Sequence, residues 1–409
     1  MARRHKLKRT LGLFLVTIYG LGNIVGAGIY ALIGKVAGEA GSATPLAFLL
    51  ASVVAGFSAL SFAELSSRNP YSEGVSAYVH NAFRRKPVSI VVGALMAIAT
   101  VVSAAALARA FGGYLYQYTG IFVPLGAALI IIFFGLLSAW GIEESAKLAA
   151  VLTIIEVFGL GIIIWLGRGS IVASAQTPAH FFDISDVGVA GVLSAVFLAF
   201  YAYIGVEDIV HLSEETKKPR LTVPLAIVGA VTIATVLYTL VSIVAIDVVP
   251  LAELSKSAAP LSLVYNTISS TPGWAIAIIA LAATAGGVLA HVISGSRLLF
   301  GMAEAGWLHK RLAIVHETRK TPTVTIAVVV VVSVVLSVFA EVKTLALATS
   351  YLILIIFSLV DASLIIIKLR NKNTKKPNFS VSIIVPILGL IFSILLLVVQ
   401  TNIVFQQIR

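Results

Sequence analysis

Three carboxylates inside long apolar stretches are the residues of this chain best suited to chemistry. Glu156 lies near the middle of one stretch, and Glu207 and Asp208 stand side by side in another. Burying an unpaired charge is costly, so each of them needs a reason to be there. A carboxyl group in such a place could exchange a proton or ligate a cation, or it could simply bond a neighbouring helix. The sequence leaves all three roles open for Glu156.

Neighbouring positions on a helix point about 100° apart, so Glu207 and Asp208 cannot face the same cavity on a helical continuation. We place Glu207 at the rim of a predicted cavity between the helices, where it could respond to pH or to a cationic side chain. We expect Asp208 to pair within the bundle that these helices form. Arg109 is expected to extend its charge toward the membrane surface. His291 could relay protons or bond a backbone carbonyl. The role of Asp361 stays open.

The composition places these residues in a membrane. The chain of 409 residues is 59% hydrophobic and 11% charged, with a mean hydropathy of +1.03. Soluble domains carry about 25% charged residues. This balance excludes a disordered chain or a secreted disulfide scaffold and indicates an all-α polytopic membrane protein. With no cysteine, the chain offers no thiolate metal site, and we expect no metal and no cofactor.

Eleven stretches have about the length that a helix needs to cross the hydrocarbon core. Most of the 29 Lys and Arg lie in connections on one side of these stretches, so the amino terminus is predicted to be cytoplasmic and the carboxyl terminus outside. The net charge of +11 is therefore topological, and we expect a cell membrane protein that contacts the bilayer and no nucleic acid. The predicted spans are 11–34, 44–66, 88–116, 121–140, 147–167, 188–212, 223–249, 272–300, 323–340, 344–367 and 379–403.

Two of these spans are poor continuous helices. The first contains four glycines between positions 20 and 28, and the sixth contains Gly205 followed by the acidic pair. The spans are five apart, as expected for two five-span inverted repeats with a solute site between their interrupted helices. Free N–H groups at such a break bind a carboxylate and free carbonyls bind an ammonium, so a zwitterionic amino acid would suit the site. Alternatively, the glycines of the first span only permit close helix packing.

At these positions the chain resembles the amino acid-polyamine-organocation superfamily of amino acid permeases. Residues Gly22–Tyr30, GNIVGAGIY, resemble the first-helix motif, and Phe200–Pro224 resembles the sixth-helix signature with its following loop. Ser296–Ala303 resembles the end of the eighth helix. The chain departs from the family in having eleven predicted spans instead of twelve. The glycine pair that usually follows span 2 is also missing.

The resemblance implies a LeuT-like five-plus-five core working by alternating access, with repeats at 11–167 and 188–367 and an additional span at 379–403. In the family, amides of the first helix hold the substrate carboxylate, carbonyls beside both breaks hold its ammonium, and an aromatic residue closes over it. Transferred to this sequence, the carboxylate ligands are Gly26, Ala27 and Gly28, the ammonium ligands are Ile24, Tyr201 and Ile204, and the aromatic gate is Tyr201.

The coupling ion is a separate question. Proton-coupled relatives often carry a lysine at the fifth-helix position that Glu156 occupies here. Sodium sites in this fold need hydroxyls from span 8, where the corresponding stretch offers only Thr284. The sequence therefore favours a proton as the coupling ion, carried by Glu156.

The leading hypothesis is a secondary amino acid transporter, most simply a proton-coupled symporter. An amino acid exchanger without obligatory proton coupling is the alternative, and a sensor that binds without translocation has no distinguishing feature. The chain lacks a phosphate-binding P-loop, a His-Glu-x-x-His zinc pattern and a Gly-x-Ser-x-Gly nucleophile, so neither an ATP-driven pump nor an intramembrane enzyme is favoured. The amino acid that is carried and the oligomeric state are left open.

Overall fold

The fold was determined from a computed structural model that covers the chain from residue 1 to 409. It describes all residues except 1–10, 71–73, 141–142, 177–180, 214–215, 270–273, 305, 307, 317–320, 371–376 and 409.

The described residues form α-helices, with one isolated β-bridge between Leu11 and Thr216. The helices are α1 (Leu13–Ala40), α2 (Thr44–Arg68), α3 (Gly74–Phe83), α4 (Lys86–Thr119), α5 (Val123–Trp140), α6 (Glu143–Leu166), α7 (Arg168–Gln176), α8 (Gly188–Phe200), α9 (Pro219–Val248), α10 (Leu251–Lys256), α11 (Pro260–Ile268), α12 (Trp274–Glu304), α13 (Thr323–Phe339), α14 (Val342–Arg370) and α15 (Ile384–Ile408). Short 3₁₀ segments lie at Gly41–Ala43, Tyr201–Tyr203, Val206–Leu212 and Lys310–Ala313.

Eight helical stretches within the described residues are long and apolar enough to cross a membrane. A ninth is obtained if Val151–Leu166 and Arg168–Gln176, which meet at a bend of 60°, form one span. The longest stretch, Leu13–Arg68, contains both α1 and α2, and the shorter apolar helix Thr323–Phe339 comes in addition. The protein is therefore an all-helical polytopic membrane protein.

The sixth predicted span corresponds to the apolar stretch Gly188–Val210, called the sixth stretch below, and lies at the centre of the bundle. Of its most apolar window 78% is buried, against 28% for the last helix, α15. Helix α1 packs against α6, α8, α9 and α12, and α4 packs against α5, α12 and α14. Helix α15 lies on α14 and α2. This arrangement puts the least lipid-like part of the chain, the break after Phe200, where no lipid reaches it.

The predicted break in the first span is wrong, because α1 runs without interruption from Leu13 to Ala40. Its glycines provide close packing, which was the alternative interpretation. A Cβ atom on Gly28 would overlap the Cα atom of Ala202, and one on Gly22 would overlap the side chain of Thr153. The small residues therefore let α1 approach the sixth stretch and α6 at backbone distance.

The predicted break in the sixth span is present. Helix α8 ends at Phe200 and a 3₁₀ turn follows, after which Ile204 is extended (φ −67°, ψ 143°) and Gly205 is left-handed (φ 111°, ψ −13°). Only glycine adopts that conformation readily. Lipid tolerates such backbone only where protein covers it, and here α1 does so: a Cβ atom on Gly205 would lie 2.5 Å from the carbonyl oxygen of Asn23.

A buried carboxylate ties the end of α2 to the segment that precedes α15. Glu64 is fully buried and accepts hydrogen bonds from the Arg68 guanidinium, the Lys368 ammonium (2.6 Å) and the backbone N–H of Val381 (2.8 Å). Lys368 also donates to the carbonyl of Val381 at 2.6 Å. We call these four residues the Glu64 clasp.

Close packing at Gly28 gives a stability prediction. We expect Gly28→Ala to lower the free energy of unfolding by about 1–3 kcal/mol, because the added methyl group must displace backbone of the sixth stretch. Thermal unfolding of the purified protein in detergent measures the effect. The matched control is Gly56→Ala in α2, where an added Cβ meets nothing within 4 Å. Equal melting temperatures for the two variants would contradict the packing role.

Candidate functional site

A cavity opens beside the break, between five elements of the bundle. Its walls come from α1, α4, α6, the interrupted sixth stretch and α12. The described lining residues are Gly22, Asn23, Ile24, Gly28, Ser103, Leu107, Leu152, Thr153, Glu156, Tyr201, Ile204, Asp208, Gly286, Gly287, Ala290 and His291.

Two buried polar atoms in this wall have no hydrogen-bond partner. Glu156 is 2% exposed, and its Oε2 atom is unpartnered in the described structure. The Nδ2 atom of Asn23 is also buried and also has no hydrogen-bond partner there. Buried polar groups are normally satisfied, so these two atoms are free to bond a group that enters the cavity. An acceptor and a donor facing one cavity suit a small ligand that carries both kinds of group.

A hydrogen-bonded chain crosses the cavity. Ser103 Oγ, from α4, lies 3.0 Å from the hydroxyl of Tyr201 and 2.9 Å from Nε2 of His291 on α12. The hydroxyl of Ser103 therefore connects three elements that surround the break. His291 bonds this side chain, and not a backbone carbonyl as one interpretation of the sequence had it.

A second, smaller cavity adjoins the first. Ser103, Ile204, Asp208 and His291 line both. The remaining described lining residues of the second cavity are Met96, Ala99, Thr100, Glu207, Thr349 and Ile353. The Ser103–His291 contact thus lies where the two cavities meet.

The two acidic residues after the break have different surroundings. Glu207 is 3% exposed, and its Oε2 atom accepts the backbone N–H of Gly205 at 3.0 Å. Glu207 thereby satisfies one of the amides that the break sets free. Asp208 is half-buried and lines both cavities, and no ion pair to it is present among the described residues. Its pairing within the bundle stays a prediction. The 3₁₀ geometry of Val206–Leu212 turns the two side chains differently from an α-helix.

Tyr238 of α9 joins the first helix to the break. Its buried hydroxyl lies 2.7 Å from the carbonyl oxygen of Ile24 and 2.9 Å from that of Ala202, and donates to them. A tyrosine has one hydroxyl hydrogen for these two acceptors. Two more tyrosines donate to backbone carbonyls of helices that line the cavity. Tyr30 donates to the carbonyl of Glu156 in α6 at 2.7 Å, and Tyr114 donates to the carbonyl of Tyr30 in α1 at 2.8 Å.

The structure brings together most of the residues singled out in the sequence. Ile24, Gly28, Glu156, Tyr201 and Ile204 all line the first cavity. Gly26 and Ala27 lie within the continuous helix α1, and their surroundings are outside the described part. Glu207 lines the second cavity.

The remaining charged residues of the apolar stretches lie away from both cavities. Asp361 is fully buried and accepts a hydrogen bond from Ser58 at 2.8 Å. Arg109 lines neither cavity.

Sequence reasoning missed Ser103 and Tyr238 as site residues. A single tyrosine hydroxyl near the middle of the aliphatic seventh span was the signal for Tyr238, since a buried hydroxyl must find an acceptor. No comparable signal existed for Ser103, one serine in a run of small residues.

Comparison with known proteins decides the family. A family model described as amino acid permease matches residues 11–407. The chain belongs to the amino acid permease family. Over 395 residues the chain is 28% identical to the branched-chain amino acid permease BcaP of Bacillus subtilis. The alignment covers 91% of this chain and 83% of that relative.

Two further relatives are transporters by name. Over 397 residues the chain is 30% identical to an uncharacterized transporter of Mycobacterium tuberculosis, and the alignment covers 96% of this chain and 86% of that protein. It is 28% identical over 391 residues to the vacuolar cationic amino acid transporter 4 of Arabidopsis thaliana, covering 89% and 64% respectively.

The double contact of Tyr238 can be tested against a buried tyrosine that has no partner. We expect Tyr238→Phe to lower the free energy of unfolding by about 0.5–1.5 kcal/mol, the usual net contribution of a hydrogen bond, and to weaken ligand binding because α1 and the break lose their shared donor. Tyr78, whose buried hydroxyl has no hydrogen-bond partner, supplies the control Tyr78→Phe. Thermal unfolding in detergent compares them, and equal effects of the two variants would refute the bridging role.

Proposed function

We propose that this protein is a secondary amino acid transporter that moves its substrate together with a proton by alternating access. The observation that carries the proposal is the cavity at the break of the sixth stretch, in which the Glu156 carboxyl has an unpartnered oxygen. The family and the names of the relatives support amino acids as the substrate.

The helix packing supports two inverted repeats. In the proposed assignment, spans 1–5 are α1, α2, α4, α5 and α6, and spans 6–10 are the interrupted stretch, α9, α12, α13 and α14. If each helix is replaced by its counterpart in the other repeat, an observed contact gives another observed contact. The contact between α1 and α9 gives the contact between the sixth stretch and α2, and the contact between α4 and α5 gives the contact between α12 and α13. Likewise α6 with α12 becomes α14 with α4. A pseudo-twofold axis between the repeats accounts for these pairs.

With α15 added, this assignment has eleven spans, with α1 and α2 separate and α13 included. An odd number places the two termini on opposite sides of the cell membrane, the amino terminus inside according to the distribution of basic residues.

The substrate ammonium is proposed to lie at the carbonyls of Ile24, Tyr201 and Ile204. Ile204 is extended and Gly205 is left-handed, so the backbone of the sixth stretch is not helical at this point. Tyr201, which lines the cavity, is the proposed aromatic gate.

The substrate carboxylate is proposed to bind the amides of Gly26, Ala27 and Gly28 after α1 opens locally. In a continuous helix these N–H groups already donate to carbonyls one turn earlier. Glycine in a helix interior costs about 1 kcal/mol relative to alanine, so opening is least costly at this glycine-rich turn.

Glu156 is the proposed proton carrier. Protonated, it is the cheaper species to bury, and deprotonated, it would require a cation in the cavity. One proton moving inward across 100 mV supplies about 2.3 kcal/mol, which supports roughly fiftyfold accumulation before any pH gradient is added. Glu207 is a proposed pH-sensitive group at the rim, since its carboxylate holds the backbone of the break.

Proteoliposomes test this coupling. We expect a pH gradient to drive uptake of labelled amino acids into vesicles containing the native protein, and Glu156→Gln to abolish this accumulation while counterflow from preloaded vesicles persists. Glu253→Gln, which removes an exposed carboxylate on α10, is the control and should accumulate normally. Unchanged pH-driven accumulation by Glu156→Gln would refute its coupling role. If a pH gradient never drives uptake although counterflow is observed, the protein is an exchanger.

A further inference from the structure

The two cavities are lined by acidic groups without basic compensation. Glu156, Glu207 and Asp208 contribute carboxyl groups, and no lysine or arginine lines either cavity in the described part of the chain. His291 is the one described lining residue that can become cationic. Buried carboxylates require protons, hydrogen bonds or a cationic partner.

Two of the three carboxyl groups have an assignment. Glu207 caps the backbone N–H of Gly205, and Glu156 is the proposed proton carrier. Asp208 remains, half-buried and facing both cavities at their junction. Its backbone N–H donates to the carbonyl of Gly205 at 3.1 Å, so its position relative to the break is fixed.

We propose that Asp208 is a specificity-determining residue that binds a positively charged substrate side chain, so that the site prefers cationic amino acids to neutral ones of the same size. The inference rests on the proposed transport function and goes beyond it. The ammonium of the amino acid backbone would lie at the carbonyls beside the break, among them Ile204. Ile204 and Asp208 both line the two cavities, so a substrate whose ammonium lies at the Ile204 carbonyl has Asp208 in the same wall.

Groups facing Asp208 favour a cation over an anion or a neutral side chain. Glu207 is its chain neighbour, and Glu156 and Tyr201 line the same first cavity, which leaves the region rich in acceptors. His291 lines both cavities with Asp208, and its Nε2 atom is already hydrogen-bonded to Ser103. Asn23, the unpartnered amide in this wall, remains available to a carboxylate or a carbonyl of the ligand. A substrate cation would thus balance the charge of Asp208 without any lysine or arginine from the described lining.

L-Arginine and L-citrulline provide a matched pair of ligands, since they differ in a guanidinium against an uncharged ureido group. We expect the reconstituted native protein to bind arginine at least roughly tenfold more tightly than citrulline, measured by competition in counterflow with a labelled amino acid, because hydrogen bonds to charged partners are the stronger ones. Asp208→Asn should bring the two affinities to within about twofold, chiefly by weakening arginine. Asp247→Asn, at an exposed position of α9, should leave the ratio unchanged.

The outcomes are distinguishable. Equal affinities of the native protein for arginine and citrulline would overturn the proposal, and this comparison needs no variant to fold. A ratio that Asp208→Asn leaves unchanged would also overturn it and would assign the charge preference to another residue. If neutral amino acids such as leucine exchange well and arginine does not, transport stands and the cationic preference fails. If no amino acid is bound or exchanged, both the inference and the proposed function fail.

Discussion

Every structural feature of the site follows from one constraint, the need to satisfy main-chain N–H and C=O groups where water is absent. A helix meets this requirement by itself, and an interruption does not. Around Gly205 the protein meets it with two side chains: the carboxylate of Glu207 accepts the N–H of Gly205, and the hydroxyl of Tyr238 donates to the carbonyl of Ala202. The backbone of Asn23 packs directly against the glycine. The cavity exists because these groups keep the interrupted segment ordered without filling the space beside it.

The same constraint accounts for the asymmetry between the two halves. The first helix carries more glycines than the sixth span, yet only the sixth is interrupted in this conformation. The difference lies in the residues that could stabilise an open backbone. The sixth stretch has a carboxylate two residues after Gly205, whereas none of the four glycines between positions 20 and 28 of α1 has a carboxylate within two residues. Neighbouring side chains and backbone occupy the space beside Gly20, Gly22 and Gly28.

The sequence predicted the parts of the fold that depend on local properties. Apolar length located the helices to within a few residues, although α1 extends to Ala40 where the prediction ended at position 34. The acidic pair after Gly205 located the true break. The state of α1 could not be predicted, because glycine spacing serves close packing and unwinding equally well and the choice depends on what Ala202 and Thr153 contribute from distant parts of the chain. Asp208 was assigned by α-helical geometry that the segment does not adopt, and Ser103 became visible only when three helices were brought together.

The Glu64 clasp has a mechanical consequence. It joins the last turn of α2 to Lys368 near the end of α14 and to the backbone that leads into α15. Charge-assisted hydrogen bonds to a buried carboxylate allow little change in length before they are lost. A second hydrogen bond, from Ser58 of α2 to Asp361 of α14, lies further along the same two helices, so a rotation of α2 against α14 would have to break one of the two attachments.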